Sequence, residues 1–66
     1  MAHPSFIIKK AKNDQFYFVL TAKNGEIIAR SEFYKQKASC ENGIKSVQNN
    51  APEAGIDDQS SNAEAA

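Results

Sequence analysis

The sequence predicts a small α+β domain in which an antiparallel β-sheet of three strands precedes a single α-helix. Three observations support this prediction. Residues 5–12 and 16–21 are rich in aromatic and β-branched side chains, which is typical of strands. Asn24-Gly25 follows the second of these runs and favours a two-residue hairpin loop. From Lys37 onwards, apolar residues recur at the spacing of a helix face.

The first two predicted strands are joined by Asn13-Asp14-Gln15, because Asn and Asp tolerate left-handed backbone and accept hydrogen bonds from nearby amides. The third strand is expected at residues 27–31. If Asn24 and Gly25 alone form the second loop, Leu20 pairs with Ala29, Thr21 with Ile28 and Ala22 with Ile27. Paired residues share a face, so one face of the predicted sheet is an apolar core and the other is mixed. We expect the stability of the fold to depend on the packing of Phe16, Phe18, Leu20, Ile28, Ile44 and Val47.

The predicted helix covers residues 37–49, with Cys40, Ile44 and Val47 on its apolar side. Gly43 lies on the same side and costs about 1 kcal/mol relative to Ala, so we expect the backbone to approach the sheet closely there. Gln36 is a poor N-cap residue. Pro52 ends the helix, since the residue before a proline disfavours helical backbone. Beyond Pro52 only Ile56 is bulky and apolar, which weakly indicates a short final strand.

Length and charge set the domain organisation. The 66 residues include eight basic and eight acidic ones, so the net charge is zero. Residues 1–50 hold all eight basic residues and four acidic ones, whereas residues 51–66 hold four acidic residues and no basic one. Residues 57–66 lack large apolar side chains, which predicts a disordered acidic tail. We therefore expect one domain at residues 1–56 and a tail at 57–66.

The usual means of stabilising so small a domain are missing from the sequence. One cysteine and one histidine exclude an intramolecular disulfide framework and argue against a closed zinc site. The N-terminus does not resemble a signal peptide, and no apolar run approaches the roughly 18 residues of a membrane span. We expect a cytoplasmic protein without membrane contact. A thin helical stripe leaves part of the sheet uncovered, which favours self-association.

Residues 16–52 resemble the YegP-like family of small, functionally uncharacterised bacterial proteins. The similarity lies in the second strand, the hairpin around Asn24-Gly25, the Ser31-Glu32-x-Tyr34 link, and the helix segments Glu41-x-Gly43-Ile44 and Ser46-Val47 with the following Asn50-x-Pro52. The resemblance implies a β-β-β-α-β unit. Two such units, in tandem or in a homodimer, form one continuous sheet with exchanged C-terminal strands. Since the chain has one unit, the resemblance implies a homodimer, but no established activity.

No residue pattern in the chain predicts catalysis. Cys40 lies near the expected helix N-terminus, where a thiol pKa can fall, but it shares the apolar stripe and no histidine follows His3 to act as its base. A buried, unreactive thiol is the favoured interpretation, with a reactive thiol as the alternative. The acidic residues are dispersed. We therefore expect no catalytic residue, no metal site and no cofactor.

The sequence leaves two functional hypotheses from different classes. The first is a non-enzymatic homodimeric module that binds an unknown partner or acts as an accessory protein. The alternative is binding of nucleic acid or another polyanion on a lysine-rich strand surface. The candidate contact residues of that surface are Lys9, Lys10, Lys12, Tyr17 and Arg30.

Overall fold

The computed structural model describes residues 3–61 of the chain. It contains strands β1 (Ser5–Lys10), β2 (Phe16–Thr21) and β3 (Ile27–Arg30), followed by helix α1 (Lys37–Asn50) and a 3-10 turn at Ala51–Glu53. The strands form one antiparallel sheet in the order β1-β2-β3, so β2 is central. The predicted β-β-β-α order is confirmed.

The β1–β2 ladder is regular and sets the two faces of the sheet. Six residue pairs run from Ser5–Thr21 to Lys10–Phe16. Because side chains alternate along a strand, Phe6 and Ile8 share a face with Leu20 and Phe18. The second face carries the side chains that alternate with these, among them those of Ile7, Lys9, Tyr17 and Val19.

The loop between β2 and β3 has three residues, not the predicted two. The Ala22 amide donates to the Glu26 carbonyl (2.8 Å) and the Gly25 amide to the Ala22 carbonyl (2.9 Å). Gly25 has φ +88°, whereas Asn24 lacks the positive φ that a two-residue type I′ loop requires. This is a type I turn closed by a left-handed glycine.

The extra loop residue changes the predicted pairing of β3 next to the loop. Leu20 pairs with Ala29 as predicted, but Thr21 pairs with Ile27, and the ladder is irregular between Leu20 and Thr21. The predicted Thr21–Ile28 pair is therefore wrong. The bulge accommodates the additional residue by leaving Ile28 without a direct partner on β2.

The β1–β2 turn has the same form as the β2–β3 turn. The Ala11 amide donates to the Gln15 carbonyl (2.8 Å), the Asp14 amide donates to the Ala11 carbonyl (3.0 Å), and Asp14 has φ +66°. In both turns the Asn side-chain oxygen accepts from the amide two residues later, at 3.1 Å from Asn13 and 3.0 Å from Asn24. The predicted turn is confirmed, and Ala-Lys-Asn begins both.

The shared geometry predicts opposite effects of two substitutions at the left-handed position. Asp14→Gly should raise the free energy of unfolding by about 0.5–1 kcal/mol, since glycine adopts positive φ without the steric cost that other residues incur. Gly25→Ala should lower it by about 1–2 kcal/mol. Urea denaturation of both variants measures these changes. Loss of the exposed Lys10–Asp14 ion pair offsets little of the first effect. A destabilised Asp14→Gly variant would contradict the prediction.

The sheet extends beyond β3 through the link to the helix. The Ser31 amide donates to the Phe18 carbonyl (2.9 Å), while the Phe18 amide donates to the Ser31 hydroxyl (2.9 Å). Farther along β2, Phe16 and Tyr34 exchange two backbone hydrogen bonds of 2.7 Å. The central strand is thus bonded along most of its length, and Tyr34 is fixed beside it.

Helix α1 packs on the face that carries Phe18. Cys40 has no exposed surface, and Phe18 is 6% exposed. The Phe18 ring lies between those of Phe6 (centroids 5.8 Å apart, edge to face) and Tyr34 (6.4 Å, stacked). A Cβ atom at Gly43 would lie 2.9 Å from Tyr34 Cζ and 3.3 Å from Phe18 Cε2. The predicted close approach at Gly43 is confirmed.

Not every expected core residue is buried. Phe18 is buried, and Phe16, Leu20, Ile44 and Val47 are half-buried, but Ile28 is 61% exposed. The expectation that Ile28 contributes to the packed interior is wrong, because β3 is an edge strand and the bulge leaves Ile28 without a direct partner on β2. At the helix start, Gln36 makes no side-chain capping hydrogen bond, as its residue type predicts.

The chain after the helix is exposed and forms no strand in the described residues. Every residue from 51 to 61 is exposed, and Ile56 is 97% exposed. The short strand expected at Ile56 is therefore not formed within a single chain. The predicted acidic tail begins here at Asp57, and its last five residues, 62–66, lie outside the described part.

The packing at Gly43 predicts a sensitive position. Gly43→Ala should lower the free energy of unfolding by about 1–2 kcal/mol, because overpacking against Tyr34 outweighs the gain in helix propensity. Thermal or urea denaturation measures the change. Gly55→Ala is the matched control, since its added Cβ would meet no atom within 4 Å. A second substitution, Tyr34→Phe, removes Oη and should recover part of the loss; stabilisation by Gly43→Ala alone would refute the contact.

Candidate functional site

Two surfaces of the described residues could receive a ligand or a partner. The first, called the groove below, lies between the helix and the sheet. The second, called the open face, is the side of the sheet opposite α1. They lie on different sides of the same three strands.

The groove has a volume of about 480 Å³, within the range of small-molecule and peptide pockets. Its floor is apolar, and its polar groups come from the link between β3 and α1 and from the helix. The lining residues are Phe6, Phe18, Leu20, Ala29, Arg30, Ser31, Glu32, Tyr34, Gly43, Ser46 and Val47. The groove therefore opens beside β3, one of the two edge strands of the sheet.

The open face combines apolar, aromatic and basic side chains. Ile7 and Arg30 are the register partners of Val19, and Lys9 is the partner of Tyr17. Val19 is only 1% exposed although α1 lies on the other side, so the neighbouring side chains on this face cover it. The Phe33 ring completes the surface through its contact with Tyr17.

The structure brings together only part of the predicted basic site. Lys9, Tyr17 and Arg30 share the open face by register. Lys10 pairs with Phe16 on the other face, with its Nζ 5.7 Å from the Phe16 ring centroid and 3.9 Å from Asp14 Oδ1. Lys12 lies in the β1–β2 turn.

Sequence reasoning missed the aromatic pair on the open face. The Tyr17 and Phe33 rings lie with centroids 5.6 Å apart at 70°, edge to face, and Phe33 is 55% exposed. Phe33 lies in the link after β3, where no strand periodicity indicates a face. The available sequence signal was a second aromatic residue directly before Tyr34. Its contact with Tyr17 could not be predicted, because that contact depends on the path of the link beside β2.

Cys40 is placed as a core residue. Burial raises the pKa of the Cys40 thiol above its ordinary value, and the neighbouring Glu41 carboxylate raises the pKa further. The thiol is therefore protonated near neutral pH, which opposes the reactive-thiol alternative. His3, the chain's one histidine, is exposed near the N-terminus. Within residues 3–61, no three His, Cys, Asp or Glu side chains are grouped to hold a metal ion.

The buried thiol predicts slow alkylation and a defined pH dependence. Iodoacetamide should modify Cys40 at least about 100-fold more slowly in the native protein than in urea, because reaction requires an opening of the core. The pKa of the Cys40 thiol is higher in the folded protein than its ordinary value of 9.0, which we take for the unfolded chain. The protonated thiol therefore contributes stability below pH 9.0, and this contribution is lost as the pH rises through the folded-state pKa. Unfolding curves should therefore show a loss of stability above about pH 9 that Cys40→Ala lacks. Equal alkylation rates in both states would contradict this placement.

The described fold is a two-layer α+β domain with one helix on one face of a three-stranded sheet. No helix in residues 3–61 has the length and apolar character to cross a membrane. The chain belongs to the family described as "Domain of unknown function (DUF1508)", whose model matches residues 11–58. The predicted YegP-like membership is confirmed.

Curated relatives and a solved structure agree with this assignment. UPF0339 protein YegP of Yersinia pestis is 60% identical over 53 residues, covering 80% of this chain and 47% of that protein. UPF0339 protein PA0329 of Pseudomonas aeruginosa is 43% identical over 56 residues, covering 85% and 51%. A UPF0339 protein of Treponema denticola is 51% identical over 51 residues, covering 77% and 88%. An NMR structure of a protein from Haloferax volcanii has a TM-score of 0.77 at 32% identity and covers 88% of this chain and 98% of that chain.

The share of each relative's length that this chain covers falls into two groups. The chain spans about half the length of the first two relatives but most of the Treponema protein. It also spans almost all of the Haloferax chain. The α+β fold is shared, and the family's function is uncharacterised.

Proposed function

We propose that the protein is a non-enzymatic homodimeric binding module in which two chains form a continuous sheet by exchanging their C-terminal segments. The main support is Ile56, whose bulky apolar side chain is 97% exposed in a segment without secondary structure. Exposure of a single apolar residue is common, but here it coincides with a free sheet edge and an adjacent groove.

The sheet has edge strands at β1 and β3, and the proposed pairing uses the outer side of β3, which lies beside the groove. Ile27 and Ile28 on this strand are 52% and 61% exposed. An uncovered edge presents unpaired backbone groups that accept an additional strand. The residues after the 3-10 turn leave it in extended conformation, with Ala54 at φ −77° and ψ 124°. The segment is thus suited to pair as an extra strand.

The groove supplies the apolar contacts for such a strand. Phe6 on β1, Leu20 on β2 and Val47 on α1 line it. In the proposed dimer, Ile56 of each chain lies in the groove of the other and replaces water there. Burying one isoleucine contributes about 1.5–3 kcal/mol, and two symmetrical contacts double this contribution.

The relatives support a two-unit assembly. The Yersinia and Pseudomonas proteins are about twice the length that this chain matches. A duplicated unit in one chain and a homodimer of single units are equivalent ways to build one sheet. The proposed domain is residues 1–56, followed by the acidic residues 57–66. We place the protein in the cytoplasm, where the one cysteine remains reduced.

Binding of a polyanion is the second candidate function. The three strands contain Lys9, Lys10 and Arg30 but no acidic residue. Lys9 and Arg30 share the open face by register, although Arg30, on the edge strand, also lines the groove. The proposed strand exchange leaves the open face free, because the exchanged segment uses the β3 edge and the groove on the opposite side. Retention on a polyanion column that falls with rising salt would support this candidate.

Sedimentation equilibrium tests the dimer directly. The wild-type chain should sediment at about twice 7.2 kDa. Ile56→Ser should raise the dimer dissociation constant by at least about tenfold, because a polar side chain in the groove forfeits the apolar contact.

Ile7→Ser is the matched control for this experiment, since Ile7 is 41% exposed on the open face, away from the proposed interface. It should leave the dissociation constant within about twofold. A wild-type monomer at every concentration would refute the dimer. An unchanged dimer in Ile56→Ser would refute the exchanged segment.

A further inference from the structure

We propose that the open face binds single-stranded nucleic acid, with a base stacked against Phe33 and Tyr17 and with backbone phosphates bound by Lys9 and Arg30. This inference rests on polyanion binding, the second candidate function, and specifies its ligand. It does not depend on dimerisation, because all four residues belong to one chain.

The aromatic pair provides the stacking surface. Phe33 is 55% exposed, and the Tyr17 ring supports it edge to face at 5.6 Å. Because the two ring planes are inclined by 70°, they do not form one flat platform. The more exposed Phe33 ring is therefore the stacking partner for one base, while Tyr17 forms a wall beside it. Aromatic side chains on an open sheet face are a recurring means of holding unstacked bases.

Two basic side chains lie near this pair. Lys9 on β1 is the register partner of Tyr17, and Arg30 on β3 is the partner of Val19, two residues farther along β2. Neighbouring strands are about 4.8 Å apart and two strand residues span about 7 Å, so the backbones at these two positions are separated by roughly 12 Å diagonally across β2. A strand of nucleic acid that runs along this diagonal would meet both cations, with the Tyr17 ring next to Lys9.

The strands that form the open face carry no acidic residue. The acidic residue nearest to Phe33 along the chain is Glu32, directly before it, and Glu32 is among the residues that line the groove on the opposite side of the sheet. A duplex is a poorer ligand, since its bases are already stacked and paired and cannot reach Phe33. The arrangement therefore favours single strands. It should discriminate little between base sequences, because every base has a face that can stack.

Fluorescence anisotropy of the full chain tests this inference with four probes. These are labelled oligo-dT and oligo-rU of about 12 nucleotides, a duplex of equal length, and inorganic polyphosphate as an anion without bases. We expect both single strands to bind at least about tenfold more tightly than the duplex. Two phosphate contacts per chain predict a slope of about −1.4 for log affinity against log salt.

Matched variants separate stacking from charge. Phe33→Leu retains an apolar side chain but removes the aromatic ring, and it should weaken oligo-dT binding by about 5–50-fold while leaving polyphosphate binding unchanged. Lys9→Gln should weaken both ligands and reduce the salt slope by about 0.7. Lys45→Gln, on the exposed side of α1, is the control and should change neither affinity by more than about twofold.

The outcomes distinguish this inference from the proposal on which it rests. Binding of polyphosphate without preference for single strands would overturn the stacking site and leave polyanion binding intact. Failure of all four probes to bind at low salt would overturn both. An unchanged oligo-dT affinity in Phe33→Leu, or an equal loss in Lys9→Gln and Lys45→Gln, would also refute the site.

Discussion

The contact between Gly43 and the Tyr34 ring is the constraint on which the rest of the structure depends. One helix must cover one face of the sheet, and it comes close enough to do so only where it has no side chain. Tyr34 fills the space beneath Gly43, stacks on Phe18, and is held to β2 by two backbone hydrogen bonds. Cys40, one turn earlier, becomes fully buried as a result. The apolar stripe of the helix is narrow, so this short approach distance compensates for its limited width.

A single helix leaves the two faces of the sheet with different environments. The face under α1 is packed with aromatic rings, whereas the open face combines Lys9 and Arg30 with Tyr17 and Phe33. A chain of this size buries only about 60% of the surface that its unfolded state exposes, a smaller share than a large domain buries, so many of its side chains remain at the surface. The proposed functions follow from that division. The groove and the β3 edge are suited to a second copy of the chain. The open face stays accessible in the proposed dimer and is suited to a ligand.

The irregularities of the sheet create its candidate binding surfaces. A bulge between Leu20 and Thr21 leaves Ile28 without a direct partner on β2, and Ile28 is exposed. Beyond β3, the Ser31 hydroxyl replaces a backbone acceptor for the Phe18 amide, and the link departs from regular pairing before Tyr34. This departure brings Phe33 against Tyr17 on the open face. Irregularities in a sheet commonly redirect side chains in this way. Here the bulge and the irregular link both change which side chains a partner would contact.

The sequence by itself determined the order of the elements, the positions of both turns, the poor cap at Gln36 and the close approach at Gly43. These features depend on local chemistry: the backbone preferences of Asn, Asp and Gly, side-chain periodicity, and the absence of a Cβ atom. Tertiary structure decided the bulge at the start of β3, the exposure of Ile28 and the pairing of Phe33 with Tyr17. The physical reason is that these depend on hydrogen bonds and contacts between distant residues: the bulge beside Thr21 absorbs the extra loop residue, so the predicted pairing holds only from Leu20–Ala29 onwards.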